Sequence, residues 1–528
     1  MRIPSRRASL WLAVAGIWLA APFANADVHL NKLFTPHMVL QRDRPLPVWG
    51  QAAAGEQVTV TFADATQTAT ADASGKWMVV LPPQAASAEP RALEVKGTNV
   101  LKVDDVLVGD VFLGLGQSNM DYATFGTTDA GAVKAMPAEA FKNIRTLSVQ
   151  QASADEPQAN FGGWWVQATP QSVMGFSAVL TYFGIELRKQ DPNVPIGLIR
   201  ASVGATNLYC WLPNEVRDSD PSCEYLRGWW SRATRNWTAE AQEKRDAEIA
   251  SYQQQVDQLK ANKQPIPADM KKPGELMGPK WSRRPSALYN GMLAPLSPYA
   301  VRAMVWYQGE WDAKRDWTPV YHDSFVAFID SLRKKWAPVP GAAETPDTCP
   351  LYLIQLPARE PNDGRYWPFF REVQDKLSRD VPNAHLIVTY DTNDPNDLHP
   401  HEKTPVGQRL AWAVAANEYK QNVPWRGPHM QSVAVESGAA TVNFEPGDGT
   451  LRTTDGEPPK YFEIAGDDGV FHPATAELHD NQVRLTAADV TAPKFVRYAF
   501  IPAPVKPNLT NTASLPAEPF RTDSQPLP

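Results

Sequence analysis

Cysteine is scarce: three thiols, Cys210, Cys223 and Cys349, serve 528 residues. Three allow at most one disulfide, so cross-links cannot be what holds the fold together, although a bridge between Cys210 and Cys223 would close a short loop. No Cys/His spacing resembles a zinc site. Positive charge is in short supply too, since 51 Lys and Arg face 58 Asp and Glu and leave a net charge of -7. Nucleic acid or an anionic membrane as main partner would need a concentrated basic face, which this balance argues against. No evident arginine cluster marks a carboxylate-binding pocket. Beyond the N-terminus there is no apolar run long enough to span a membrane.

Length and tryptophan are what the chain has in abundance. At 528 residues it exceeds what one core organises, so about two to four domains are expected. Eighteen Trp supply rings that fill cores or offer flat apolar faces to ligands such as sugars. A neutral small molecule or polymer suits this composition best. Arg2, Arg6 and Arg7 precede an apolar segment from Leu10 to Phe23, and Ala24-Asn25-Ala26 has the small-x-small cleavage pattern. Residues 1–26 therefore read as a signal peptide, with release of the mature chain into a periplasm or the medium.

Periodicity divides the rest. Residues 27–104 alternate apolar and polar in short runs, such as Gln57 to Phe62 and Trp77 to Leu81, separated by turn signals. This is the pattern of a small β-sandwich, and residues 426–528 repeat it. Between them, in residues 105–425, five apolar runs alternate with helix-length stretches: Val106 to Leu115, Ile196 to Ala201, Ala303 to Tyr307, Leu351 to Gln355 and His385 to Tyr390. Such alternation predicts an α/β domain with a parallel sheet covered on both faces. An insertion at about 213–285 interrupts it. Its segment Thr238 to Lys263 carries Ile249, Tyr252, Val256 and Leu259 at helical spacing, which predicts an exposed helix with one buried stripe. Around it, Trp229, Trp230, Trp237 and Trp281 either wall a cleft or anchor the insertion to the core.

Four of the five runs end in residues that carry chemistry. The first leads into Gly116-Gln117-Ser118-Asn119-Met120, which places a serine at a strand-to-helix turn on the carboxyl edge of the sheet, where ligands bind. Gly116 permits the tight turn and Asn119 pins it. The last run leads into a loop holding Asp397 and His399, a carboxylate and a general base for Ser118, before a helical stretch from Glu402 to Tyr419. His401 is a competing base. The second and third runs lead into Gly204 and Gln308, candidate donors to an oxyanion through a bare backbone amide and a side-chain amide. The backbone amide of Ser118 makes a third.

These segments, with Gly204-Ala205-Thr206, Trp306-Tyr307-Gln308-Gly309-Glu310 and His399-Pro400 in this order, resemble the SGNH-type hydrolases of the sialate O-acetylesterase family and its bacterial polysaccharide-acetylesterase relatives. Met38 to Arg42, Leu288 to Met292 and Pro519 to Asp523 are similar to the family as well. The resemblance implies an SGNH-type three-layer α/β/α catalytic domain with β-sandwich accessory regions at both ends. It also implies removal of acetyl esters from carbohydrate hydroxyls through a serine acyl-enzyme, without metal or organic cofactor. By matching position Ser118 would be nucleophile, His399 base, Asp397 its orienting acid, and Gly204 and Gln308 oxyanion donors, with Gly116, Gln117, Asn119 and Glu310 in support. The chain departs from many relatives at Ala205, where they carry glycine, and at Asn396, where the common arrangement has the acid, so Asp391, or a dyad working through a backbone carbonyl, stays open beside Asp397. The expected partner is an acetylated oligo- or polysaccharide, plant xyloglucan or xylan ahead of a sialoglycan. A secreted carbohydrate-binding protein without chemistry and a glycosidase using Glu310 are the rival readings.

Overall fold

Every residue from Val106 to Gly116 is buried, as a strand covered on both faces must be. The computed structural model describes residues 27–267, 269–336, 349–360, 364–392, 395–436 and 438–528. The signal-peptide reading of residues 1–26 lies outside them. None of the described helices is long and apolar enough to cross a membrane.

Seven strands make the central part of the main sheet: β1 (Val100–Gly116), β2 (Ile144–Ser148), β3 (Trp165–Gln167), β4 (Ile196–Ser202), β5 (Ala303–Tyr307), β6 (Leu351–Ile354) and β7 (Ala384–Ile387). Their spatial order is β3-β2-β4-β1-β5-β6-β7. All pairs are parallel except β2 with β3. The register aligns the carboxyl ends that matter, because Gly116 is level with Ser202 on one side and with Tyr307 on the other. The expected strands thus form, and their order makes the β1, β4 and β5 ends neighbours.

Helices Ala178–Gln190 and Thr404–Asn417 cover one face of the sheet, where Phe112, Leu180, Phe183, Leu198, Val305 and Leu410 form one core. Leu180 packs so closely on Gly114 that a Cβ there would lie 2.7 Å from its methyl. Helices Thr318–Lys335 and Trp367–Asp380 contribute Phe325, Phe328 and Phe370 to a second core on the other face. The result is the three-layer α/β/α arrangement expected. The helical stretch expected from Glu402 begins at Thr404, after a turn through His401.

The flanking regions are β throughout, as their alternation predicts. The expected boundary at 104/105 falls inside β1, whose first half pairs antiparallel with Ser87–Lys96 while its second half enters the central sheet. Val39–Gln41 adds a parallel partner to β1. The C-terminal region contains two four-stranded sheets, and its core includes Val388 and Tyr390 from the segment just after β7. The insertion helix spans Ala239–Ala261, capped by the Thr238 hydroxyl, with Val256 buried and Ile249, Tyr252 and Leu259 half-buried. All three cysteines are free and buried, so Cys210 and Cys223 are not bridged.

Candidate active site

Gly116 can only be glycine. Its φ is +135°, and a Cβ would lie 2.1 Å from the Tyr307 carbonyl oxygen at the end of β5. The chain turns here directly into the short helix Ser118–Asp121. This leaves Ser118 partly exposed between buried Gln117 and Asn119. Gln117 locks the turn from the side, accepting from the Gly309 amide at 3.4 Å and donating its own backbone N–H to Tyr307 at 3.1 Å. Gly204, two residues after the end of β4, lies beside the serine: a Cβ on it would be in van der Waals contact with Ser118 Cβ, at 3.5 Å. Ala205 next to it has φ +56°, the left-handed region that glycine occupies most easily.

Asn119 joins the Ser118 turn to the His399 loop. Its amide nitrogen donates to the Leu398 carbonyl at 3.1 Å and to Glu310 Oε1 at 2.5 Å. Its amide oxygen accepts from Lys403 Nζ at 2.6 Å. The carbonyl before His399 is therefore tied to the residue after Ser118. On the far side, Tyr122 stacks on the His399 ring with centroids 6.2 Å apart and planes inclined by 21°.

Asp397 does not hold the imidazole of His399. One of its oxygens accepts from the His399 backbone N–H at 2.8 Å, and the other pairs with Nε2 of His401 at 3.1 Å. Asp391, the other candidate acid, is spent in a two-pronged ion pair with Arg409 at 2.7 and 2.6 Å. His401 lies on the half-exposed side of the loop, where its ring also meets Tyr122.

Gln308 likewise departs from its expected place. It is fully buried, its amide nitrogen donates to the Thr206 carbonyl at 3.0 Å and to Asp312, and its oxygen accepts from the Tyr321 hydroxyl at 2.8 Å. With both N–H groups engaged, the side chain braces the Gly204 loop rather than facing a substrate. Asp312, which also receives the Leu208 amide, is pushed up to about 7 by burial.

Two buried charges sit behind the serine. Glu310 is raised from the usual carboxylate value by burial, and its Oε2 has no hydrogen-bond partner among the described residues. Lys403 is pushed down to about 7 by burial, against the attraction of Glu310 and Asp397. Nothing in the sequence pattern singled out Lys403; the only signal is a lysine four residues after His399, at the mouth of an apolar helix. Burial lowers the His399 pKa first and the Lys403 charge lowers it next, with Asp397 opposing both. A histidine held neutral in this way is a competent general base near neutral pH.

The tryptophans of the insertion divide between the two roles expected of them. Trp281 is buried under Trp230 with rings stacked 6.0 Å apart, and Trp229 packs edge-on against Trp317 at 4.9 Å. Trp230 and Trp237 line an open cleft of about 650 Å³. Arg217, Arg227 and Arg284 also gather there, which the sequence did not reveal. Each is committed, to Asp218, to backbone carbonyls and to Asp155 respectively.

Residues 269–416 match the family model described as carbohydrate esterase, sialic acid-specific acetylesterase. The chain is similar to sialate O-acetylesterase of Rattus norvegicus, with 27% identity over 427 residues covering 74% of each chain. The human sialate O-acetylesterase is 26% identical over 441 residues, 77% of this chain and 74% of its own. Among solved structures, a carbohydrate acetylesterase from Xanthomonas citri superposes with a TM-score of 0.77 and 30% identity, covering 94% of this chain and 100% of that one.

Proposed function

The chain belongs to the sialate O-acetylesterase family of carbohydrate esterases and is an ester hydrolase, and from that premise we propose that it removes acetyl groups from plant polysaccharide such as xyloglucan or xylan through an acyl-enzyme on Ser118. The observation that carries the site assignment is the Asn119 bridge, which fixes the Ser118 turn to the loop of His399 through the Leu398 carbonyl.

In this reading His399 accepts the hydroxyl proton of Ser118 as its oxygen attacks the acetyl carbonyl, and returns it to the departing sugar oxygen. A water activated by the same imidazole then releases acetate. The oxyanion is met by the backbone N–H groups of Ser118 and Gly204, a reading supported by the contact of Gly204 with the Ser118 side chain. Gln308 contributes by holding the Gly204 loop through Thr206. Asp397 contributes charge that favours the imidazolium and fixes the backbone of His399, without a bond to its ring.

Ser118→Ala is expected to lower acetate release from p-nitrophenyl acetate by about 10⁴-fold or more, with the melting temperature unchanged. Near-normal release from the variant sinks the assignment. A second reading, a sialoglycan substrate, is favoured by the activity for which the rat and human relatives are named. Acetate release compared across acetylated xyloglucan, xylan, pectin, mannan and sialoglycans decides between them.

A further inference from the structure

Two large aromatic side chains stand out in solvent near the carboxyl edge of the sheet, Phe125 at 71% exposure and Trp164 at 61%. Trp164 walls a groove of about 290 Å³, together with Thr146, Ser148, Gln150, Ser172 and Phe176. Thr146 and Val166, a paired couple on β2 and β3, form its floor. None of the residues that line it is acidic, basic or otherwise titratable.

The groove shares an edge with the nucleophile. Ser148 ends β2 level with Arg200 of β4, and Arg200 is level with Gly114 of β1, two residues before Gly116. Two strand spacings across the sheet, about 10 Å, and two residues along β1, about 7 Å, therefore separate the end of β2 from the start of the Ser118 turn, roughly 12 Å in all. A short oligosaccharide spans that distance. The route between them is also built. The Phe176 carbonyl on the groove wall accepts from the Thr124 N–H at 3.0 Å and from the Thr124 hydroxyl at 3.2 Å. Phe125 follows Thr124, and Tyr122, two residues earlier, stacks on His399. The segment from Tyr122 to Phe125 thus connects the groove wall at Phe176 to the ring of His399.

We propose that this groove is a glycan subsite that binds an unmodified, neutral sugar ring of the chain whose acetylated residue lies at Ser118; the proposal rests on the catalytic reading above. The apolar face of the ring stacks on the Trp164 indole, and its hydroxyls meet the half-buried Ser148 and exposed Gln150. A sugar carboxylate would lose water here with no cation to receive it, so the subsite selects neutral glycans over acidic ones. The acidic and basic pairs of the insertion cleft have no counterpart on this wall.

The test uses Trp164→Ala and Trp164→Phe in the full chain. Trp164 is mostly in solvent, so neither change threatens the fold. With acetylated oligosaccharides from xyloglucan or xylan, Trp164→Ala is expected to raise KM about tenfold, the effect of losing one stacking contact, and Trp164→Phe to restore most of it. Turnover of p-nitrophenyl acetate, too small to reach the groove, stays at the parent level. An unchanged ratio of oligosaccharide to p-nitrophenyl acetate activity overturns the subsite, and so does a larger loss on acetylated sialoglycan than on the neutral oligosaccharides. Failure of the catalytic reading shows separately, as p-nitrophenyl acetate turnover that survives Ser118→Ala.

Discussion

At the scale of single residues, the site turns on a lysine that no motif announced. Lys403 is nearly enclosed, bonded to Asn119 and facing Glu310, and its charge is one of the causes that hold His399 below the usual histidine value. The sign of its effect follows directly. In the proposed mechanism His399 works as a neutral base, so activity should fall as pH drops through its lowered pKa, and in that acid range Lys403, titrating at about 7, is charged. Lys403→Met removes one depressing cause. The acid limb of the kcat/KM profile on p-nitrophenyl acetate should therefore move to higher pH, toward the value of about 6.5 of a free imidazole. A limb that stays in place or moves down contradicts this account. The places of Ser118, Gly116, Gly204 and His399 were legible beforehand because each follows an apolar strand. The contacts of Asp397 and Gln308 were not, because a side chain's direction depends on which neighbour satisfies it, and both found partners outside the reaction centre.

Among the elements, the junction of β1 with β5 governs the geometry. Gly116 lies level with Tyr307, with its α-carbon pressed against the Tyr307 carbonyl in a left-handed region, so any side chain must push these central strands apart. Gly116→Ala is expected to cost at least about 3 kcal/mol, combining backbone strain with overpacking, and to abolish activity even where the chain still folds. Urea unfolding measures the first and acetate release the second; a variant of parental stability refutes the close approach. The strands themselves were readable from runs of buried residues, as was the insertion helix from its spacing. Their spatial order was not. Periodicity tells a strand which faces are covered but not which strand lies beside it, and only that order brings the β4 loop and the β5 loop to the same serine.

Over the whole molecule, the sequence segments that the chemistry left unused turn out to be braces. Gln41 and Arg42, from the N-terminal region, converge with Arg302 on Asp110 of β1, which is entirely buried. Burial opposes its charge, yet Arg302 and Arg42 keep its pKa below the usual carboxylate value. Asp110→Ala strands two guanidinium groups and is expected to destabilise the protein by roughly 3 to 5 kcal/mol, seen as a lower guanidinium midpoint at unchanged slope. A loss under about 1 kcal/mol would show that this cluster does not join the regions. Asn290 holds the carbonyls of Ala154 and Asp155, and Arg521 grips Glu372 at 2.8 and 2.9 Å, so the middle and terminal segments tie loop and helix to the sheet. By itself the sequence determined the class of fold and the family, and it singled out the serine and the histidine. Apolar periodicity and glycine-bearing turns are local properties that survive in one dimension. Only the tertiary structure decided which partners Asp397, Gln308 and Lys403 take, and that Trp164 stands beside an uncharged groove on the sheet edge that carries Ser118. Those depend on burial and on partners distant along the chain, and a buried charge or amide takes its role from whatever the fold places within hydrogen-bond reach.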